Sequence, residues 1–297
     1  MTDANVIEKK RKAPFKGRTV VIYALLVFFA IVALFPLYYL LITAFKSENE
    51  AELTTTLWPQ TFELFENIKF VLNYEDYNVG RMFLNTMLVF VLKTAGTCVT
   101  CSLAAYGFAM YRFPGKKIIF FMLLATMMIP GELLGIPIYE FMVNTGLRDV
   151  AFIPLWIAAW FGTDVFVIFL FRQFFETVPK ALIEAARIDG YNEFQIFFKI
   201  VLPLNKPVYV TVILLNFVGT YNDLYGPALY ITDKSNYLMA QSINMFENLY
   251  QSGGSYTVVP WNYVSVATLI AMIPVVLLFS FMQKQFMESV SGVGIKG

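Results

Sequence analysis

The chain has 297 residues, of which 58% are hydrophobic and 14% charged, and its mean hydropathy is +0.62. A soluble domain carries about a quarter charged residues, so the composition is that of a polytopic membrane protein. Histidine is absent, which excludes Ser-His-Asp triads, histidine general bases, two-histidine zinc sites and His-ligated haem. The formal net charge of +1 identifies no partner, because in a membrane the placement of charge outweighs its sum.

Residues 1–18 hold six Lys or Arg and read as a cytoplasmic tail. Thr19–Phe45 then runs 27 residues without a charge, where a membrane helix needs about 20. The run exceeds the roughly 7–15-residue core of a signal peptide and lacks a small-residue cleavage site, so it is expected to stay as a first transmembrane helix. The loop Lys46–Arg81 is acidic, with Glu48, Glu50, Glu52, Glu63, Glu66, Glu75 and Asp76. That acidity serves solvation or faces a partner.

Five further spans are expected: Met82–Tyr111, Ile118–Val143, Val150–Phe171, Val208–Ile231 and Tyr263–Gln283. They are continuously apolar and do not alternate, so the fold class is an all-α polytopic membrane protein with six transmembrane helices, not a barrel. With the N-terminus inside, the inner segments hold sixteen Lys or Arg and the outer ones five, which puts both termini in the cytoplasm. Residues 285–297 form the second cytoplasmic tail. The outer loop Thr232–Asn262, with Gly253 and Gly254, reads as flexible.

Within the second span, Cys98 and Cys101 form a C-x-x-C pair, a spacing that redox and metal motifs also use. With no second pair and no histidine, the expected role is two small buried thiols. Trp156 and Trp160 read as packing or interfacial anchors before sugar-stacking platforms. Four ionisable groups fall inside spans: Lys93, Glu132, Asp164 and Asp223. At about 1.5 Å per residue Lys93 lies near mid-depth, and Glu132 and Asp223 share a level roughly 22–24 Å from the cytoplasmic edge. Intramembrane charges are costly and so are functional candidates. Glu132, Asn222 and Asp223 can line a polar path; alternatively the carboxylates pair with Lys93 or cap helix breaks near Pro130 and Gly226.

The cytoplasmic stretch Arg172–Pro207 is too short for a domain and reads as two short helices. Pro179 suits a helix start, Gly190 a left-handed C-terminal cap, and Asn192 with Gln195 a capping box. Leu182, Ala185 and Ala186 are expected to form a low-relief face. The second helix is crowded with Phe194, Ile196, Phe197, Phe198 and Ile200 and must bury itself in headgroups or in protein.

Glu184-Ala185-Ala186-Arg187-Ile188-Asp189-Gly190, followed by Ile200-Val201-Leu202-Pro203, resembles the EAA loop of permease subunits in binding-protein-dependent ABC importers. Met128-Ile129-Pro130, Ile136-Pro137-Ile138-Tyr139 and Thr145-Gly146-Leu147 resemble the maltose-type carbohydrate subfamily. Tyr221-Asn222-Asp223 stands where that subfamily has W-N-D, and Gly294-Ile295-Lys296-Gly297 resembles its A-V-K-G terminus. The resemblance implies a type I permease domain over residues 80–284, with a coupling loop at 179–203. It further implies that Glu184, Ala185, Ala186, Asp189, Gly190, Ile200, Leu202 and Pro203 engage an ATP-binding subunit dimer. The other implied partners are a second homologous permease, an extracytoplasmic solute-binding protein and membrane lipid, without nucleic acid. No G-x-x-x-x-G-K-[ST] occurs. This chain is therefore expected to carry no catalytic residue, metal or cofactor, with ATP and Mg on the partner ATPase. The expected cargo is a sugar, an oligosaccharide before others. The competing class is an ion-coupled secondary transporter using the buried carboxylates, and a membrane-embedded enzyme comes third.

Overall fold

The computed structural model describes residues 17–292 apart from 54, 75, 76, 151 and 248–258. Most of the first tail, Glu75, Asp76, Gly253, Gly254 and the Gly294–Gly297 ending lie outside the described residues. Every regular element among those described is helical. A long α1 (Gly17–Phe45) leads into the short helices α2 (Glu48–Leu53) and α3 (Leu64–Asn73), then α4 (Val79–Met110). Next come α5 (Lys116–Thr126), α6 (Gly135–Asn144), α7 (Ile153–Trp156) and α8 (Val165–Phe175). An elbow follows, made of α9 (Lys180–Ile188), α10 (Glu193–Ile196) and α11 (Leu202–Leu204). The chain closes with α12 (Lys206–Tyr221), α13 (Tyr225–Tyr230), α14 (Met239–Glu247) and α15 (Trp261–Gly292).

Four of the described helical stretches are long and apolar enough to cross a membrane alone: Thr19–Phe45, Val79–Met110, Ile153–Phe175 and Trp261–Ser280. Counting each of two bent pairs as one span, Lys116–Thr126 with Gly131–Asn144 and Glu193–Leu204 with Lys206–Tyr221, raises the number to as many as six, the number expected. The third expected span, Ile118–Val143, is not one rod. α5 meets the short 3-10 turn Gly131–Leu134 and α6 at 88°, because Pro130 lacks an N–H and keeps Ile129 out of the helical region. The fourth span breaks at Gly162, whose φ is +65°, before restarting as α8 and reaching Phe175 instead of Phe171. The fifth, expected as Val208–Ile231, stops at Tyr221 and resumes as α13. At its other end α12 joins the second arm of the elbow at 78°.

α4 is the central strut, lying against α8 and α12 along most of its length. Lipid offers no hydrophobic drive between helices, so close approach depends on small residues. α4 supplies Gly96, Thr97, Cys101, Ser102 and Ala105, all buried. Trp160 rests on the flat at Gly96, where a Cβ would come within 2.7 Å of its ring, and its indole N–H donates to the Leu92 carbonyl at 3.1 Å. Both cysteines are free thiols, and the buried Cys101 Sγ lies 3.7 Å from the Asp164 carbonyl. Trp160 and the thiols are therefore packing elements.

Apolar clusters form at both ends of the bundle. One gathers Phe171, Phe175, Ile183, Ile196, Phe197 and Val201 under the elbow. The other joins Ala44, Val71, Phe217, Phe246 and Val266 beneath α2 and α3. Here the acidic loop is partly structural: Glu50 is buried and accepts from the backbone N–H groups of Gln60 (2.8 Å) and Thr61 (2.9 Å) and from the Thr61 hydroxyl (2.6 Å). Burial pushes the Glu50 carboxyl up, but these hydrogen bonds and the Lys46 charge outweigh it and hold the group below the usual carboxylate range. Asn67 joins Ala44 and Lys46 to α15 by donating to both carbonyls and accepting from Asn262.

Candidate functional site: the elbow and the helix breaks

The elbow takes its shape from local rules. α9 ends in a paired carbonyl cap, with Gly190 N–H to Arg187 O (3.1 Å) and Tyr191 N–H to Ala186 O (3.0 Å). Gly190 sits at φ +82°, and a Cβ there would meet nothing within 4 Å, so the requirement is conformational and not steric. Asn192 and Gln195 form the expected capping box at 2.9 Å in both directions. Beyond it, Phe197–Val201 widens into a π-helical turn before Leu202 and Pro203. Such turns recur at functional sites.

The arms divide their faces. Ile183, Ala186, Ile196, Phe197 and Val201 are buried in the cluster beneath. Glu184, Ala185, Asp189 and Gly190 are exposed, together with Ile188 (87%), Phe194 (69%) and Phe198 (57%). Pro203 is also exposed, while Ile200 and Leu202 are half-buried. This corrects the expected low-relief face. Ala186 lies one turn from Ile183 and points into the chain's own core, leaving Leu182 and Ala185 outward. Ile196 and Phe197 are likewise turned inward and unavailable to a partner.

Glu193 holds the hinge. It accepts from the Tyr106 hydroxyl of α4 at 2.7 Å and from Arg187 Nε of α9 at 3.0 Å. Burial raises the Glu193 carboxyl, but hydrogen bonds from Tyr106, Arg187 and Tyr111 overcome this and keep it below the usual carboxylate range. Tyr106 also meets Phe197 edge-to-face at 5.3 Å. Neither Tyr106 nor Glu193 stood out in the sequence. The pairing of Arg187 with Glu193 across the Gly190 turn was a readable signal, whereas Tyr106 lies 87 residues from Glu193 and gave none.

The four intramembrane ionisable residues behave differently from one another. Asp164 caps α8 by accepting from Val167 N–H at 3.1 Å, and Asp223 accepts from Gly226 N–H at 3.0 Å. Glu132 is exposed in the 3-10 turn after Pro130. Lys93 pairs with none of these carboxylates. The breaks holding Glu132 and Asp223 lie side by side: a Cβ on Gly135 would overlap the Tyr225 hydroxyl. Tyr139 of α6 stacks on Tyr230 of α13 at 5.7 Å, with the Arg148 guanidinium 5.5 Å from the Tyr139 ring. No hydrogen bond links Glu132 to Asp223. Asn222 opens onto a cavity of 370 Å³ between α12, α14 and α15, where Asn244 and Thr268 are polar among apolar neighbours.

Comparison with known proteins agrees with this arrangement. Over 281 residues the chain is 32% identical to the sn-glycerol-3-phosphate transport system permease protein UgpE of Salmonella typhimurium, covering 92% of this chain and 96% of that one. It is 29% identical to the arabinooligosaccharides transport system permease protein AraQ of Bacillus subtilis, covering 92% and 95%. With the diacetylchitobiose uptake system permease protein NgcG of Streptomyces coelicolor the identity is 27%, covering 91% and 86%. The fold is shared with a crystal structure of a bacterial ABC transporter involved in the import of alginate, at TM-score 0.71 and 23% identity, covering 89% of this chain and 95% of that one. These relatives are transport permeases, and none supports the ion-coupled alternative. The sequence profile of the binding-protein-dependent transport system inner membrane component matches residues 96–291, and the chain belongs to that family.

Proposed function

We propose that this chain is the permease subunit of an ATP-driven importer for a sugar, coupled to a separate ATPase through the elbow 179–203. The supporting observation is the elbow's two-sided build. One side is fixed to the bundle through Ile183, Ala186, Ile196 and Glu193, and the other presents Glu184, Ala185, Ile188, Asp189 and Phe194 outward. Such a unit transmits a push as a rigid body. Glu184 and Asp189 offer carboxylates to cations of the ATPase, which carries the ATP and Mg. The sixteen-to-five Lys/Arg asymmetry puts the elbow and both termini in the cytoplasm.

A second permease, an ATPase dimer and an extracytoplasmic solute-binding protein complete the assembly. The cargo path runs past the paired breaks, which carry Glu132 and Asp223 and the rings of Tyr139, Tyr225 and Tyr230, and past the neighbouring cavity that Asn222 lines. Carboxylates and amides hydrogen-bond sugar hydroxyls, and aromatic faces stack on sugar rings. The relatives are named for arabinooligosaccharides, diacetylchitobiose and sn-glycerol-3-phosphate, and of these cargo classes we infer an oligosaccharide. The test is uptake in proteoliposomes holding both permeases, the ATPase and the binding protein. Sugar entry is expected only with ATP and the ATPase present. Uptake that persists without the ATPase, or that is driven by an ion gradient, overturns the proposal.

A further inference from the structure

At the elbow end of the bundle, cations gather round an apolar wall. Lys116 and Lys117 open α5, and a cavity of 500 Å³ lies between them, Phe120, Phe121, Leu124 and Arg172 of α8. The Arg172 guanidinium stands 4.0 Å from the Phe120 ring centre and reaches Glu176 at 2.8 Å. The charges acting on Lys116 are Arg172, Arg112 and Lys180 against one carboxylate, Glu176. The Lys116 ammonium donates to the Tyr111 carbonyl at 3.0 Å, which places the cleft beside the end of α4. Lys116, Lys117 and Arg172 thus line the cleft, and Glu176 pairs with Arg172 beside it.

The apolar side of the cleft does not end there. Ile118, Phe121 and Met122 continue it along α5 and are all more than half exposed, a surface that suits lipid hydrocarbon. An occupant must therefore carry negative charge at one end and methylenes at the other. A free anion matches the cations alone. An acidic protein surface matches the cations but not the exposed rings running on toward mid-membrane.

We propose that this cleft binds the headgroup of an anionic phospholipid, with Lys116, Lys117 and Arg172 around its phosphate and Phe120, Phe121 and Leu124 against the upper acyl chain. The proposal rests on the membrane-spanning fold and not on the sugar or on ATPase docking. The test uses the purified transporter assembly in nanodiscs of phosphatidylcholine with or without phosphatidylglycerol, reading by native mass spectrometry the lipid retained after detergent exchange. Phosphatidylglycerol is expected to be retained over phosphatidylcholine. Lys116→Gln and Arg172→Gln should each weaken that preference about fivefold, from the usual value of one surface cation toward an anionic lipid. Lys69→Gln in α3, remote from the cleft, should leave it unchanged. If Arg172→Gln fails to insert, Lys117→Gln reads the same site without touching the Arg172–Glu176 pair. Equal retention of the two lipids overturns the proposal, as does a preference unmoved by the cleft variants. Inorganic phosphate displacing the lipid would make the site a free-anion site, and loss of the ATPase subunit with lipid retained would assign it to an acidic protein; either result overturns the proposal.

Discussion

The Tyr106 hydroxyl donates a 2.7 Å hydrogen bond to the Glu193 carboxylate, joining the end of α4 to the second arm of the elbow across 87 residues. Arg187 of the first arm binds the other oxygen of the same carboxylate at 3.0 Å. One acid therefore holds both arms and the central strut together. Any displacement of the elbow would reach α4 through this contact and through the Tyr106–Phe197 packing.

Tyr106→Phe separates these two routes, because it keeps the ring against Phe197 and removes only the hydroxyl. A hydrogen bond to a charged group contributes about 1.5–3 kcal/mol, and the side-chain exposure of Glu193 at 38% puts the effect toward or below the lower end. ATP hydrolysis by the assembly should persist while sugar moved per ATP falls severalfold. Measuring both rates in the same proteoliposomes checks this, and a matched loss of the two would refute it.

The same carboxylate carries a pH dependence. Its folded-state pKa is depressed, so its stabilisation is present above the ordinary carboxylate value, near pH 4, and is lost as pH falls through the lower folded value. Amide protection across residues 180–204, taken relative to the intrinsic exchange rate at each pH, should stay high from neutral pH down to mildly acid conditions and fall below them. Glu193→Gln should exchange faster already at neutral pH and flatten the acid response. Protection in the wild type that is indifferent to acid would exclude this role.

Gly190 and Glu184 test the outward face. A Cβ at Gly190 meets no neighbour within 4 Å, so the main cost of Gly190→Val is the left-handed backbone, about 1–2 kcal/mol. That is small against the fold and large for the turn between the arms. The protein should insert at normal levels and lose uptake, whereas Gly190→Asn, which tolerates this conformation, should retain most of it. Glu184→Lys, exposed and remote from the core, should also abolish uptake without loss of protein. Immunoblots of membranes beside uptake assays separate the two effects.

Glu50 predicts a different phenotype. Glu50→Ala leaves the N–H groups of Gln60 and Thr61 without their acceptor, at about 0.5–1.5 kcal/mol for each bond, since Gln60 is exposed and Thr61 half-buried. The loop 47–61 should become sensitive to protease from outside and the thermal midpoint should drop. Limited proteolysis of sealed vesicles reads this directly. An unchanged digestion pattern would show that the loop is held by other contacts.

The sequence displayed those features that follow from local chemistry. Pro179, Gly190 and the Asn192–Gln195 box form the elbow as their residue types dictate. Apolar runs located the spans, while breaks were legible only where Pro130 and Gly226 marked them beside a carboxylate. Hydropathy is blind to backbone direction, so Pro130, Gly162 and Asn222 interrupt runs that look continuous. Ala186 shows the same gap at a single residue: composition made it a docking surface, but its spacing from Ile183 turns it inward. The Tyr106–Glu193 bond and the Tyr225–Gly135 contact join distant stretches, and no single-sequence pattern encodes them.

The Gly135–Tyr225 contact gives the sharpest test of the paired breaks. A Cβ at Gly135 would overlap the Tyr225 hydroxyl and approach its ring carbon at 3.1 Å, so Gly135→Ala must turn the Tyr225 ring aside or push α13 away from α6. A shift of α13 would also strain the stack of Tyr139 on Tyr230. If the cargo passes between these breaks, Gly135→Ala should cut uptake at least tenfold, roughly 1.4 kcal/mol on the transport barrier, while leaving the elbow free to stimulate ATP hydrolysis. Tyr225→Phe removes the atom that collides, and the double variant should recover much of the lost uptake. Recovery by Tyr225→Phe but not by Tyr139→Phe would place the obstruction at this contact. A Gly135→Ala variant with normal uptake would show that the two breaks move apart during transport.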